Sequence, residues 1–145
     1  FHIRKGDPNV RTIFETSTDF ETRWVMAQAY VPEVRDGDKR ILLVDGEPLG
    51  AVLRVPADGE SRANFHSGGQ AAQVGIDAGD QRIIDAVAPR LRDEGLFFVG
   101  IDVIGGRLTE INVTSPTGIQ EMSRLDGIDY PARVFDRLDQ ILAER

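Results

Sequence analysis

The sequence predicts an α+β fold in which an antiparallel sheet built of hairpins is covered by helices. Three observations carry that expectation. Two pairs of apolar, β-branched runs flank the turn dipeptides Asp45-Gly46 and Gly105-Gly106, a hairpin signature. Residues 81–94 and 129–142 repeat apolar side chains at helical spacing. The 145 residues, 28% charged and 41% hydrophobic, have the composition of a compact domain. A chain of this length buries roughly 70% of its unfolded surface, enough for a core without staples.

Composition also excludes. With no cysteine there is no disulfide framework, thiol nucleophile or zinc-thiolate site, and a reducing, cytoplasmic compartment is expected. A net charge of −7 opposes attraction to a phosphate backbone, so no nucleic-acid partner is expected. No apolar run is long enough to span a membrane, and no export-signal pattern opens the chain.

Taken in order, Phe1 to Arg4 read as a short strand and residues 5–9 as turns. A strand there with no upstream partner suggests a fragment of a longer fold. Residues 10–20 suit a short helix, and residues 23–31 a strand containing Trp24, Val25 and Tyr30 and stopped by Pro32. After the charge-dense residues 33–40, residues 40–54 form the first hairpin. Residues 55–80 have no periodicity and five glycines, and that length without structure reads as a mobile lid.

Residues 81–94 place Ile84, Val87, Ala88 and Leu91 on one helical face, with a kink expected at Pro89 and a stop at Gly95. Residues 96–104 and 107–113 make the second hairpin. Thr117 and Gln120 have capping-box spacing for a short helix. Asp129 and Pro131 open the last one, with Val134, Phe135, Leu138, Ile141 and Leu142 on one face.

Register in the second hairpin decides which side chains meet, because side chains alternate with period two. A two-residue loop at Gly105-Gly106 would turn Asp102 away from Glu110 and Asn112 and mix both faces. A three-residue loop pairs Ile104 with Leu108 and Asp102 with Glu110. It gathers Ile101, Val103, Ile111 and Val113 on one face and Asp102, Glu110 and Asn112 on the other. Burial of an apolar face favours the second arrangement. Neighbouring carboxylates repel unless a cation lies between them, and an all-oxygen donor set suits Mg²⁺. A solvated strand face with ordinary acids is the alternative, and the pattern alone leaves both open. Beyond Asn112, Thr114 to Thr117 bring hydroxyls and free amides to a helix start, which suits an anion or a plain cap.

Arg40 and Arg54 bracket the first hairpin at equal parity and share a face if its loop holds an odd number of residues. Together they could clamp a phosphate or carboxylate; pairing with Asp36, Asp38 or Glu47 is the plainer reading. Arg62 and Asn64 lie in the glycine-rich segment, where a closing lid could carry them over a substrate. His66, without a second ligand at metal-site spacing, reads as a loop residue. Neither a Ser-His-Asp pattern, a G-x-S-x-G elbow nor a Walker-type loop is present.

The stretches MAQAYVP (26–32), DGDKR (36–40), VDGEP (44–48) and GIDVIGGRLTEINVTSPT (100–117) together resemble the C-terminal ATP-grasp portion of bacterial glutathione synthetases, over residues 3–125. The resemblance implies a ligase that joins γ-glutamylcysteine to glycine with ATP and Mg²⁺, or Mn²⁺, through an acyl phosphate. It implies metal ligands at Asp102, Glu110 and Asn112, and an adenine-contacting hinge at Gln28, Ala29, Tyr30 and Val31. Asp38 would lie near the ribose or phosphates, and Arg40 and Arg54 on the transferring phosphoryl group. Arg62, Asn64, Ser115, Pro116 and Thr117 would hold the peptide substrate.

By the same resemblance, residues 1–31 end a small subdomain with its hinge strand, and residues 32–145 form the large subdomain with a lid at 55–80. Association into a homo-oligomer is implied too. The family's substrate-binding domain, ATP-contacting lysine and glycine-rich phosphate loop lie upstream, so the chain alone would be inactive and would need the missing N-terminal portion. Relative to the family pattern, the return strand of the first hairpin is one residue short, which bears on Arg54. Other ATP-grasp peptide or amino-acid ligases, and a nucleotide- and Mg²⁺-binding module without chemistry, are the competing readings.

Overall fold

The structure, a computed structural model, describes residues 1–57 and 69–144. It divides into two compact units, Phe1–Val31 and Pro32–Arg145.

The first unit holds one helix, α1 (Val10–Ser17), with no buried residue. It stops three residues short of the expected end because Asp19, Phe20 and Glu21 take φ of 49°, 51° and 68°. Left-handed residues cannot continue a right-handed helix. The Thr18 hydroxyl fixes the exit, donating to the Phe14 carbonyl at 2.7 Å and accepting from the Glu21 amide at 3.0 Å. His2 stacks on Tyr30 with ring centroids 3.9 Å apart. The strands expected at residues 1–4 and 23–31 are absent. Extended backbone becomes a strand only when a neighbour takes its hydrogen bonds, and among the described residues none pairs with either segment.

In the second unit a 3-10 helix (Pro32–Asp36) leads into β1 (Asp38–Val44), β2 (Glu47–Val55), β3 (Gln70–Gln73), α2 (Ala78–Asp93), β4 (Phe98–Ile104), β5 (Arg107–Asn112), α3 (Ile119–Asp126) and α4 (Tyr130–Ala143). The five strands form one antiparallel sheet in the order β3-β2-β1-β4-β5. This is the expected α+β class. The expected lid at 55–80 is corrected at its ends, because Val55 closes β2, Gln70–Gln73 form β3 and Ala78–Asp80 open α2. Its residues 58–68, with Arg62, Asn64 and His66, lie outside the described residues.

Each face of the sheet meets different helices. Ile41, Leu43, Ala51, Val99, Ile101 and Val103 pack against Ile84 and Leu91 of α2. On the opposite face Leu42 and Val52 pack against Met122 of α3 and Tyr130 of α4. α2 starts earlier than expected, at Ala78, because Asp77 caps it: its carboxylate accepts from the amides of Gly79 (2.7 Å) and Asp80 (3.0 Å), and Asp80 answers on the Asp77 amide (2.9 Å). The helix runs on through Pro89 to Asp93, and Gly95 ends it at φ 68°.

Both hairpin turns have two residues with positive φ, Asp45-Gly46 (52°, 73°) and Gly105-Gly106 (56°, 71°), which matches strand twist. Both hairpins also carry an extra residue. Between Leu42↔Gly50 and Leu43↔Pro48, Leu49 has no partner; between Asp102↔Glu110 and Val103↔Leu108, Thr109 has none. The second hairpin therefore departs from expectation near the turn, where Ile104 faces Arg107 rather than Leu108. The bulge at Thr109 restores Asp102 opposite Glu110, and the Thr109 hydroxyl donates to the Asp102 carbonyl at 3.1 Å.

Two further expectations are corrected. α3 is capped by Gly118 at φ 114°, not by Thr117, whose carbonyl instead accepts from Arg40. On α4, Asp129 caps as expected (3.1 Å to the Ala132 amide), but Phe135 and Leu142 are exposed while Val134, Leu138 and Ile141 are half-buried. A helix lying on a sheet end buries a narrower stripe than its apolar pattern offers.

Candidate functional site

At the end of the sheet remote from the Asp45-Gly46 turn, the face shared with α3 and α4 is polar. β1 contributes Asp38 and Arg40, which alternate on one side of the strand. Arg54 of β2 stands opposite Asp38, Asp102 of β4 opposite Arg40, and Glu110 of β5 opposite Asp102, with Asn112 two residues on. Six side chains from four strands thus meet on one face. The condition for Arg40 and Arg54 to share it is met by the two-residue turn plus the bulge at Leu49, which together add an odd number.

The first four are buried: Asp102 is 2% exposed, Arg40 and Arg54 5% each, and Asp38 7%. Arg40 grips Asp102 with two nitrogens, Nε to Oδ1 and Nη2 to Oδ2, the latter at 2.8 Å. Its Nη1 donates to the Thr117 carbonyl at 3.1 Å. Arg54 Nη2 lies 2.8 Å from Asp102 Oδ2 and 2.5 Å from Asp38 Oδ2. Two arginines and two aspartates alternate in one chain, Arg40–Asp102–Arg54–Asp38, the pairing that buried charge requires, with Asp38 Oδ1 and Arg54 Nε left without a hydrogen-bond partner among the described residues.

Electrostatics separate the two carboxylates. Burial pushes Asp102 up, but the Arg40 hydrogen bond and the Arg54 charge outweigh it and hold the group below its ordinary value. Asp38 is pushed above its ordinary value by burial, which Arg54 offsets only in part. Arg40 is raised: burial lowers it, and the bond and charge of Asp102 more than compensate.

Glu110 is exposed and Asn112 half-buried at the open side of this network. The hydrogen-bond partners assign the Asn112 amide with its oxygen 3.2 Å from Arg40 Nη2 and its nitrogen 3.3 Å from Glu110 Oε1. The Asp102 oxygens and the Asn112 oxygen lie against arginine nitrogens, while the Glu110 carboxylate is exposed. Two carboxylates and an amide oxygen on one face form an all-oxygen set that fits Mg²⁺, which takes few protein ligands and keeps water or phosphate oxygens on its other positions.

The segment after β5 closes one edge. Ser115 takes a positive φ of 47° and is exposed, as is Thr117, while Pro116 is buried against Gly100. A Cβ on Gly100 would come within 2.7 Å of the Pro116 Cβ, so glycine there permits the close approach. Gln28, Ala29, Tyr30 and Val31 belong to the first unit and carry no regular secondary structure. Arg62 and Asn64 lie outside the described residues.

The Asp38–Arg54 pair is the plainer of the two pairings expected for that arginine. Two features were missed from sequence: the Thr117 carbonyl as an Arg40 partner, and Lys39, whose ammonium passes to the other side of the sheet and lies 2.5 Å from Asp80 and 3.2 Å from Asp77. The alternation Asp38-Lys39-Arg40 signals the second; a backbone carbonyl leaves no trace in sequence.

A sheet of these hairpins, with paired arginines and acids on one face and helices on both, defines an ATP-grasp domain. The solved D-alanine–D-alanine ligase of Bacillus anthracis complexed with ATP shares the fold at a TM-score of 0.51 and 15% identity, covering 90% of this chain and 45% of that one. The family profile described as prokaryotic glutathione synthetase, ATP-grasp domain, matches residues 1–127. The chain belongs to that family. It is 57% identical over 140 residues to the glutathione synthetase of Parasynechococcus marenigrum, 54% over 137 residues to that of Synechococcus elongatus, and 48% over 146 residues to that of Pseudomonas putida. These alignments cover 97%, 94% and 100% of this chain and 46%, 42% and 46% of those proteins. The chain thus spans less than half the length of these relatives.

Proposed function

We propose that this chain forms the phosphoryl-stabilising part of an ATP-dependent carboxylate–amine ligase that joins γ-glutamylcysteine to glycine through an acyl phosphate, releasing ADP and phosphate. One observation carries the reading: Arg40, Arg54, Asp102, Glu110 and Asn112 converge from four strands on one face. Phosphoryl transfer is governed by positioning and by stabilisation of charge on the equatorial oxygens. Arg40 and Arg54 would supply fixed positive charge to the phosphoryl group, held in place by Asp102 beneath them. Asp102, Glu110 and Asn112 would hold Mg²⁺, or Mn²⁺, which when bound neutralises phosphate charge. Ser115 and Thr117 would hold the peptide substrate with their hydroxyls, with buried Pro116 fixing their backbone, and Arg62 and Asn64 would join them. Gln28 to Val31 would contact adenine. Water must be kept from an acyl phosphate, and a lid within residues 55–80, between β2 and α2, would do that. The working protein would include a further N-terminal portion, act in the cytoplasm and assemble as a homo-oligomer.

The test uses the full-length protein. With Mg·ATP, ADP formation should require γ-glutamylcysteine and glycine together and should fall sharply with other acid–amine pairs. Glu110→Gln should reduce ligation by at least about 100-fold with the circular dichroism spectrum and melting temperature retained. Wild-type turnover in that variant overturns the assignment of Glu110.

A further inference from the structure

We propose that Tyr130 and Asp126 are a positioning pair that sets α3 on the sheet and, through α3, the Ser115–Thr117 segment that precedes it. The inference rests on the ligase reading above for its kinetic consequence, since there that segment holds the peptide substrate, and on geometry for its content. α3 has eight residues, about 12 Å of helix, with glycine at both caps, so no side chain closes either end. Met122 is its one fully buried residue. A short helix with so little buried surface takes its position from the contacts that hold its ends.

Those contacts join the site to the far side of the sheet. At the first end, a Cβ on Gly118 would lie 3.5 Å from Arg40 Cγ and 3.4 Å from Val52 Cγ1, and the Thr117 carbonyl accepts from Arg40. At the last end, Asp126 accepts with both oxygens, Oδ2 from the Tyr130 hydroxyl and Oδ1 from the Gln73 side-chain amide of β3, each at 2.8 Å. Tyr130 is itself fixed: it is 6% exposed, and its ring occupies the space that a Cβ on Gly50 of β2 would take, 2.9 Å from Tyr130 Cζ and Oη. The Tyr130 amide adds a second tie to α3, donating to Ser123 Oγ at 3.3 Å. Burial, then the Asp126 hydrogen bond, push the Tyr130 hydroxyl above its ordinary value, so it stays a donor at neutral pH. The pair thus pins the last turn of α3 to β2 and β3, while the first turn lies in the site. Releasing the pinned end lets α3 pivot about Met122 and carries Thr117 and Ser115 with it. Arg54, Asp102 and Glu110 belong to strands and stay where they are.

In the full-length protein, Tyr130→Phe keeps the ring over Gly50 and removes the hydroxyl alone. Positioning predicts a KM for γ-glutamylcysteine raised about 3- to 30-fold, with the KM for ATP within about twofold of wild type. Asp77→Asn, which loosens the α2 side of the sheet, is the control for lost stability and should leave both KM values within about twofold. A γ-glutamylcysteine KM at the wild-type value in Tyr130→Phe, an equal rise in both KM values, or the same selective rise in Asp77→Asn overturns the proposal. Amide hydrogen exchange followed by mass spectrometry reads the geometry without turnover: residues 115–126 should exchange faster in Tyr130→Phe while α2 exchanges as in the wild type. Exchange unchanged over 115–126, or raised equally in α2, overturns the proposal. Should Tyr130→Phe fail to fold, Asp126→Asn is measured in its place; it keeps the shape and an acceptor oxygen and removes the charge. A selective rise in the γ-glutamylcysteine KM together with faster exchange over 115–126 supports positioning, and either quantity at its wild-type value overturns it. A wild-type protein that couples no acid and amine to ATP overturns the ligase reading alone, and the exchange pattern still decides what holds α3.

Discussion

Lys39 lies between two site residues in sequence and on the other side of the sheet in space. Its Nζ donates to the Gly75 carbonyl (3.3 Å) and reaches Asp77 and Asp80, tying β1 to the capped start of α2. Burial would lower Lys39, but the hydrogen bonds of Asp80 and Asp77 raise it above its ordinary value. The Asp80 amide, then Lys39, then the Gly79 amide, hold Asp77 down to about 2 from an ordinary 3.8. Since the folded value lies below the unfolded one, the ionised carboxylate stabilises the fold above about pH 4, and that contribution disappears as pH falls from about 4 to 2. Asp77→Asn, which can still cap, should melt a few degrees lower than wild type at pH 7. The two melting curves should converge near pH 2. A gap independent of pH would mean that the charge is not what Asp77 contributes.

Among elements, the junction of β4 with the segment after β5 is the tightest point of the site. Gly100 meets Pro116 from one side and Arg40 from the other, with a Cβ there 3.1 Å from Arg40 Cδ. Gly100→Ala should therefore displace Pro116 or Arg40, costing about 1–3 kcal/mol in denaturant unfolding and reducing ligation. Gly75 is the control: it has an ordinary φ and nothing within 4 Å of a built Cβ. Gly75→Ala should stay within about 0.5 kcal/mol of wild type. Equal costs at both positions would show that close approach at Gly100 is not the cause.

For the molecule as a whole, the core lies entirely in the second unit. All residues of both apolar clusters fall after Pro32, and no residue of Phe1–Val31 is fully buried. Cooperative unfolding follows the core. A protein beginning at Pro32 should keep one sharp thermal transition within a few degrees of the chain that includes residues 1–31, followed by far-UV circular dichroism. Loss of that transition would place part of the folding energy in the first unit. Exposed Leu108, Ile111 and Val113 of β5 and its exit mark where apolar alternation outruns the cover that α2 provides.

Much of this architecture is local chemistry and so was legible in the chain. Asp45-Gly46 and Gly105-Gly106 supply the positive φ that two-residue turns need, Asp129 and Pro131 start α4, and Gly95 stops α2. Alternation along β4 and β5 was enough to set Asp102 beside Glu110 and Asn112. The route to that pairing was not legible. It depends on an unpaired Thr109, as the meeting of Arg40 and Arg54 depends on an unpaired Leu49. A bulge is chosen by the whole sheet, whose two faces must both bury their apolar residues, and it has no fixed local signature. Residues 23–31 fail in the opposite direction: their β-branched and aromatic side chains favour extension, but no neighbour is present to pair with them. Tertiary structure alone decided that β1 lies between β2 and β4. That placement sets Arg40 on Asp102, 62 residues away, and turns separate charges into one buried network.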